Sequence, residues 1–405
     1  MRNMVGGVPT GEDFFDREDI LKEIWRRLGT DNILLVAPRR FGKTGIMFKL
    51  KDEPEDDFVV CSIDCEGIAT PSQLVVEMAY ELAQHDRLRA AFAKARGLAG
   101  RVVSAVKDNL SEINIADWKI TLNKEVRESW EDEGRALLGE MQHADGNVLI
   151  ILDELPMMIE NMLEDEAMRG EVGRFLEWFR KIRLRQDGNY KNVRFVIGGS
   201  VGLDHIVRKV TQDAPFNDLY RVHVPPFDAN TARLLLDVLA ESEGVKLTNG
   251  ARGAVLELVG PCVPFYVQLV FSQVCQRCSG RSRVTKDVVE DVYRNHVLGP
   301  ACRYHFSHYE DRLRRYGKGT EAAAKAMLKA LARAERMSAD ELLQIYARSV
   351  GDITDGSGFD ALMADLETDF YICPMDGEFV FASKILRDWW LRWHVSYESD
   401  MQETT

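Results

Sequence analysis

Residues 32–44, N-I-L-L-V-A-P-R-R-F-G-K-T, constrain the chain more tightly than any other stretch. An apolar run of strand length meets a turn rich in Pro, Arg and Gly. Helix-forming residues then follow from about Lys43 to Leu50. A strand that turns through Gly42 into a helix opening on Lys43 and Thr44 gathers backbone N–H groups at one spot. The helix dipole favours negative charge at the same place. The pattern G-x-x-x-x-G-K-[ST] in a strand-to-helix context is a phosphate-binding loop.

Ala37–Thr44 matches that pattern at every fixed position but the first, where Ala37 stands for glycine. Alanine pays a steric cost there if the site needs positive φ. Ala37, Pro38, Arg39, Arg40, Phe41, Gly42, Lys43, Thr44 and Gly45 form the candidate cradle for the phosphates of ATP. Lys43 is expected to reach the β- and γ-phosphates, and Thr44 to ligate Mg²⁺. Gly42 lets the backbone approach closely. Arg39 and Arg40 suit a phosphate or inter-subunit contact. Surface arginines are mostly solvated, and that is the expectation for both.

A second apolar run, N-V-L-I-I-L-D-E at 147–154, ends on two carboxylates. Asp153 can hold Mg²⁺ through water, and Glu154 can orient or activate the attacking water. An apolar strand ending in D-E is unremarkable by itself. Downstream of a phosphate loop it points to nucleotide hydrolysis. Guanine specificity is not supported, because Asn123-Lys124-Glu125-Val126 lacks the aspartate of an N-K-x-D base-reading motif.

Around these two segments the chain alternates strands and helices. Strands are expected at Asn32 to Val36, Phe58 to Asp64, Val148 to Leu152, Val193 to Ile197 and Arg221 to Val224. Helices are expected at Asp19 to Leu28 and Glu171 to Leu184, with several more between Pro71 and His143. This alternation predicts an α/β fold with a parallel sheet. After Pro226 helices dominate, and three helices and a β-hairpin turning at Met375-Asp376-Gly377 follow in winged-helix order. With 405 residues, two or three domains are expected. The boundaries read as 1–226 for the core, 227–300 for a helical lid and 301–405 for the winged helix.

The chain resembles the archaeal-type ATPases, P-loop NTPases that sit between AAA+ origin-recognition ATPases and STAND signalling NTPases. The resemblance rests on several segments: F-F-D-R-E-D-I at Phe14 to Ile20, the P-R-R-x-G-K-T loop, I-D-C-E-G at Ile63 to Gly67, the D-E strand, and F-A-S-K-I-L-R-D-W-W near the end. It implies that Arg17 lies near the adenine and that Ser200 senses the γ-phosphate. It implies that Arg221 serves as an arginine finger or sensor, and that Pro264, in G-P-C-V-P-F at Gly260 to Phe265, approaches the base. It also implies ATP and Mg²⁺ as cofactors, and a switch that signals through the winged helix to a protein partner or by self-association. The alternative is a DNA-associated ATPase of the origin-recognition or transposition-helper type.

Composition bears on the partners. The net charge of −13 is a poor footprint for a nucleic-acid binder. The expected third helix of the winged helix, Gly358 to Asp369, has four acidic residues and no Lys or Arg, the reverse of what base and phosphate readout needs. Nucleic acid is therefore not favoured. Positive charge gathers at Arg312, Arg314, Arg315 and Lys318, expected as a solvated helix face and the one place to look for nucleic-acid contact. Cys275 and Cys278, followed by Cys302 and His305, fall on expected helices and read as structural rather than zinc-binding. No apolar run is long enough to span a bilayer. With seven cysteines and no regular framework, the expected location is cytoplasmic.

Overall fold

A computed structural model describes the chain except residues 56, 93–96, 108–111, 185–189, 200–202, 209, 212–214, 279–282, 352–355 and 397–405. The described residues form two compact units. One comprises Arg17–Ala37 and Lys43–Val224. The other comprises Met1–Asp16, Pro38–Gly42 and Pro225–Thr405.

The first unit is built on a parallel sheet. Its strands are β1 (Ile33–Val36), β2 (Phe58–Asp64), β3 (Asn147–Asp153), β4 (Val193–Ile197) and β5 (Tyr220–His223), in the spatial order β2-β3-β4-β1-β5. All pairings are parallel. The interior of β3 and all of β4 are buried. Strands covered on both faces are mostly apolar, and the one charge in β4, Arg194, is buried with its guanidinium bonded to the carbonyls of Leu28 and Gly29.

Helices α1 (Glu18–Leu28) and α2 (Lys43–Asp52) flank β1 in sequence. Between β2 and β3 come α3 (Pro71–Gln84), α4 (Asp86–Phe92), α5 (Leu98–Lys107), α6 (Glu112–Val126) and α7 (Trp130–Glu140). Thr70 caps α3, accepting from the Gln73 amide while Gln73 reaches back to the Thr70 N–H, with Pro71 as the first helical residue. Next come α8 (Leu155–Glu164), α9 (Arg169–Arg183) and α10 (Leu203–Arg208). Trp130 of α7 meets Trp178 of α9 edge-on at 5.1 Å, and Phe175 stacks on Phe179 at 5.7 Å. The approach to β5 is tied down by Arg183, whose guanidinium makes two 2.9 Å bonds to Asp218.

The second unit continues with α11 (Ala229–Ser242), α12 (Asn249–Val259), α13 (Pro264–Arg277), α14 (Lys286–Val292), α15 (Tyr304–Leu313), α16 (Lys318–Ala334), α17 (Ala339–Val350) and α18 (Ser357–Thr368). Strands β6 (Ile372–Met375) and β7 (Glu378–Phe381) pair antiparallel, and α19 (Lys384–Trp390) follows. The hairpin turns on Asp376 and Gly377 at φ 54° and 85°. Two positive φ values in a two-residue turn match strand twist, which is why Asp-Gly stands there. Met337 and Phe379 exchange backbone hydrogen bonds of 3.1 and 2.8 Å, giving the wing a third pairing position. The expected winged-helix order of α16, α17, α18 and hairpin is present. Trp389, Trp390, Tyr309 and Phe306 lie at its core.

Two expectations about charge change here. Arg312 is not on a solvated face: it is buried and pairs with buried Asp369 at 2.9 Å. Of the four acidic residues at 358–369, Asp365 and Asp369 are buried, so the helix presents only Asp360 and Glu367 outward. The burial of Arg312 and that of Asp369 have one cause. An Arg and an Asp far apart in sequence can satisfy one another inside, which local charge counting cannot register. Among the described residues no helix is long and apolar enough to cross a membrane.

Candidate nucleotide-binding site

In an open parallel sheet, ligands bind beyond the carboxyl ends of the strands where connections diverge to opposite sides. Here the chain leaving β1 runs to β2 at one edge, whereas the chain leaving β4 passes β1 to reach β5 at the other. The ends of β1 and β4 therefore flank the divergence, with the acidic end of β3 next to β4.

The lysine and threonine open α2, where they were expected. The Lys43 ammonium is buried and donates to the Ala37 carbonyl. The Thr44 hydroxyl donates to Asp153 Oδ2 at 3.0 Å, and the other oxygen of that carboxylate accepts from the Glu154 N–H at 3.0 Å. Burial, reinforced by the Glu154 charge, raises the Asp153 pKa, while the Thr44 hydrogen bond, the Glu154 N–H and Lys43 oppose the rise. A carboxylate and a hydroxyl in contact, with an ammonium beside them, form a hard oxygen donor set suited to Mg²⁺.

Glu154 has φ 54° and ψ 30°, a left-handed conformation, and serves as the N-cap position of α8. For a residue with a Cβ this costs about 1–2 kcal/mol. Strain of this kind tends to collect where a side chain must be aimed. Two neighbours close the space around the acidic pair. A Cβ on Gly198 would come within 2.1 Å of Met47 Cε, and one on Gly199 within 2.5 Å of Pro156 Cδ. Both glycines follow directly on β4. Their role is to let β4 pass against the acid pair and α8.

The loop answers the question raised by Ala37. Among the described residues, positive φ occurs at Arg40 (73°) and Gly42 (96°) and not at Ala37. Alanine is therefore unstrained, and the departure from the pattern costs nothing in backbone energy. Arg40 corrects a second expectation. It is not a solvated side chain: its guanidinium lies 3.8 Å over the Phe265 ring, and burial lowers its pKa. Phe41 meets Phe370 edge-on at 4.9 Å.

The other expected site residues are placed as follows. Gly45 is buried in the first turn of α2. Arg17 is buried, with φ 87°, at the N-cap of α1. Arg221 lies on β5 opposite Leu34, exposed, two residues before the carboxyl end of the strand. Pro264 is the first residue of α13. Ser200 lies outside the described residues. Among those described, no three His, Cys, Asp or Glu side chains gather as a metal cluster would require.

Comparison with solved structures places this architecture. The chain is similar to a Walker-type ATPase of Pyrococcus abyssi, with a TM-score of 0.65 at 17% identity, over 96% of this chain and 99% of that one. It is also similar to the ORC2 protein of Aeropyrum pernix, solved in ADPNP–ADP complexes, with a TM-score of 0.54 at 12% identity, over 93% and 94% of the two chains. No protein-family model matches the sequence, and no curated protein does. The chain shares the fold of these two proteins.

Proposed function

We propose that the chain binds ATP with Mg²⁺ and hydrolyses it, using the energy state of the nucleotide as a molecular switch. The observation that carries this reading is the contact of Thr44 with Asp153, which joins the end of the phosphate loop to the acidic strand. A γ-phosphate with Mg²⁺ can order one arrangement of a protein over another and release it on hydrolysis.

The roles follow from the donor set. Thr44 and Asp153 would hold Mg²⁺, directly and through water. The metal would supply charge neutralisation on the phosphate oxygens. Lys43, now bonded to a carbonyl of its own loop, exchanges that acceptor for phosphate oxygens. Glu154, aimed by its left-handed backbone, orients the water that attacks. Ser200, Arg221, Arg17 and Pro264 are carried as proposals from the family resemblance alone. The same holds for the division at 226 and 300 into core, lid and winged helix.

The switch reading sends its signal to a protein partner or a second copy of the chain. A DNA-associated ATPase remains the second reading. Its support is the fold shared with an origin-recognition protein, together with the inward turn of Asp365 and Asp369, which leaves α18 less acidic outside than its sequence suggests. Against it, Arg312 is withdrawn from the basic run.

Nucleotide titration and phosphate release test the catalytic reading. Lys43→Ala should weaken ATP by roughly 100-fold, the loss of charge-assisted bonds to phosphate. Glu154→Gln should bind ATP yet slow hydrolysis by about 10²–10⁴. Undiminished binding by Lys43→Ala would rule out the site. An electrophoretic shift with duplex DNA at physiological salt, lost on Arg314→Glu, would select the second reading.

A further inference from the structure

Helix α6 is apolar on two sides. Leu122 and Val126 are buried in the core of the first unit. Ile115, Ala116 and Ile120 instead line a groove between α6 and α3, and Ile120 is 54% exposed. A single exposed apolar side chain is ordinary, whereas several lining one concavity mark a binding site. The groove holds about 470 Å³. That lies within the roughly 300–1,000 Å³ of small-ligand clefts. Gly67 and Ile68, from the loop between β2 and α3, also line it.

Most polar groups of the groove are already satisfied. Lys119 of α6 pairs with Glu77 of α3 at 2.6 Å, tying the two walls together, and its ammonium lies 3.9 Å over the Tyr80 ring. Gln73 Oε1 accepts from the Ala69 and Thr70 N–H groups at 2.8 and 3.1 Å. Asn123 differs. Its side chain lines the groove, yet Oδ1 is shut off from solvent and has no hydrogen-bond partner. A buried acceptor without a donor is costly. Rotation of the amide would offer it to a donor held in the groove.

The same loop reaches the acidic pair. The Cys65 N–H donates to the Asp153 carbonyl at 2.8 Å. The Asn161 amide donates to the Glu66 carbonyl at 3.1 Å and to that of Ile68 at 3.4 Å. Asn161 stands on α8, the helix whose N-cap position is Glu154. A ligand against Ile68 therefore presses on a loop bonded both to β3 and to α8.

We propose that the groove between α3 and α6 binds a small, mainly apolar molecule carrying one N–H or O–H donor, and that its occupation alters turnover through the loop at 65–69. The volume suits a body of one or two rings. An α-helix, about 10 Å across with its side chains, is too thick to enter it. The regulatory half rests on the ATPase reading; the binding half does not.

The test uses indole, an apolar body with one N–H donor, and 1-methylindole, which lacks the donor. Calorimetry of the full chain should find saturable binding of both, with indole about fivefold tighter, the worth of one hydrogen bond. Ala116→Phe, at an exposed position and checked for native melting, should fill the groove and abolish both. Asn123→Ala should weaken indole about fivefold and leave 1-methylindole within twofold. No saturable binding, or binding undiminished in Ala116→Phe, would overturn the site. So would a wild-type dimer that Ala116→Phe splits, because a second copy would then fill the groove. For the regulatory half, saturating indole should change kcat at saturating ATP by twofold or more. Asn161→Ala should remove that effect while indole still binds. An unchanged kcat, or an effect that survives Asn161→Ala, overturns the regulatory half. Lys43→Ala keeps the two readings apart: indole should bind it as it binds wild type, whether or not the phosphate loop takes ATP.

Discussion

The Thr44 hydroxyl donates to the Asp153 carboxylate at 3.0 Å, across 109 positions of chain. The bond joins the start of α2 to the end of β3 and leaves the carboxylate buried beside Glu154. Its consequences can be measured one residue at a time.

Asp153→Asn tests the electrostatics. Burial, with Glu154, raises the carboxyl pKa above its unfolded value. Between those two values the native state binds protons more readily than the unfolded chain. The cost of the buried charge is therefore fully present above the folded pKa, and it disappears as pH falls through it. Without Mg²⁺, Asp153→Asn should melt higher than wild type at pH 7, and the gap should close toward pH 4. A gap that stays constant across that range would mean that the carboxylate is not the strained group.

Glu154 separates aim from stability. Glu154→Gly and Glu154→Ala both remove the carboxylate and should both lose turnover. Only glycine accepts φ 54° without strain. Denaturant unfolding should find Glu154→Gly more stable than Glu154→Ala by about 1 kcal/mol. Equal stability would show that the backbone relaxes when the side chain is removed.

Ala37→Gly should gain nothing. With ordinary φ at this position, restoring the glycine of the pattern adds only unfolded-state freedom and costs about 0.5–1 kcal/mol. Nucleotide affinity should stay within twofold, as read by titration. A marked gain would place positive φ in the nucleotide-bound loop.

Arg312 and Asp369 are a buried pair, so cutting one partner strands the other. Arg312→Met should destabilise by about 3–5 kcal/mol, and Asp369→Asn substantially. Arg312→Met with Asp369→Leu should recover part of the loss, because no charge is then left unpaired. A denaturant series on the four proteins gives the coupling directly. Full additivity would count against the pairing.

These residues also mark the limits of sequence reading. Strands β2 and β4 fall at the expected residues, because buried strands are mostly apolar and stand out from their flanks even with Ser62 or Arg194 inside them. Lys43, Thr44, Asp153 and Glu154 were legible because loop chemistry fixes their spacing to a strand and a helix. Helix α8 went unread: its Pro156 looks like a breaker in sequence but sits in the first turn, where proline is tolerated. A helix was expected around His305 and Arg312, and α15 forms there although Y-H-F-S-H-Y has weak helix propensity. Arg40 and Arg312 look like surface charge in any local window. Their partners, Phe265 and Asp369, are too distant in sequence for a local window to include.

The grip of Phe265 on Arg40 and of Phe370 on Phe41 bears on biosynthesis. At ribosomal speed, those partners emerge on the order of tens of seconds after the loop. Meanwhile two large side chains of that loop have no native contact to make with them. Pairings this far apart in sequence slow folding and lengthen exposure to wrong neighbours. The residues that begin the phosphate loop cannot settle until the hairpin's own approach has been made. A nascent chain stalled before Phe370 would then present an unfinished loop to chaperones rather than to nucleotide.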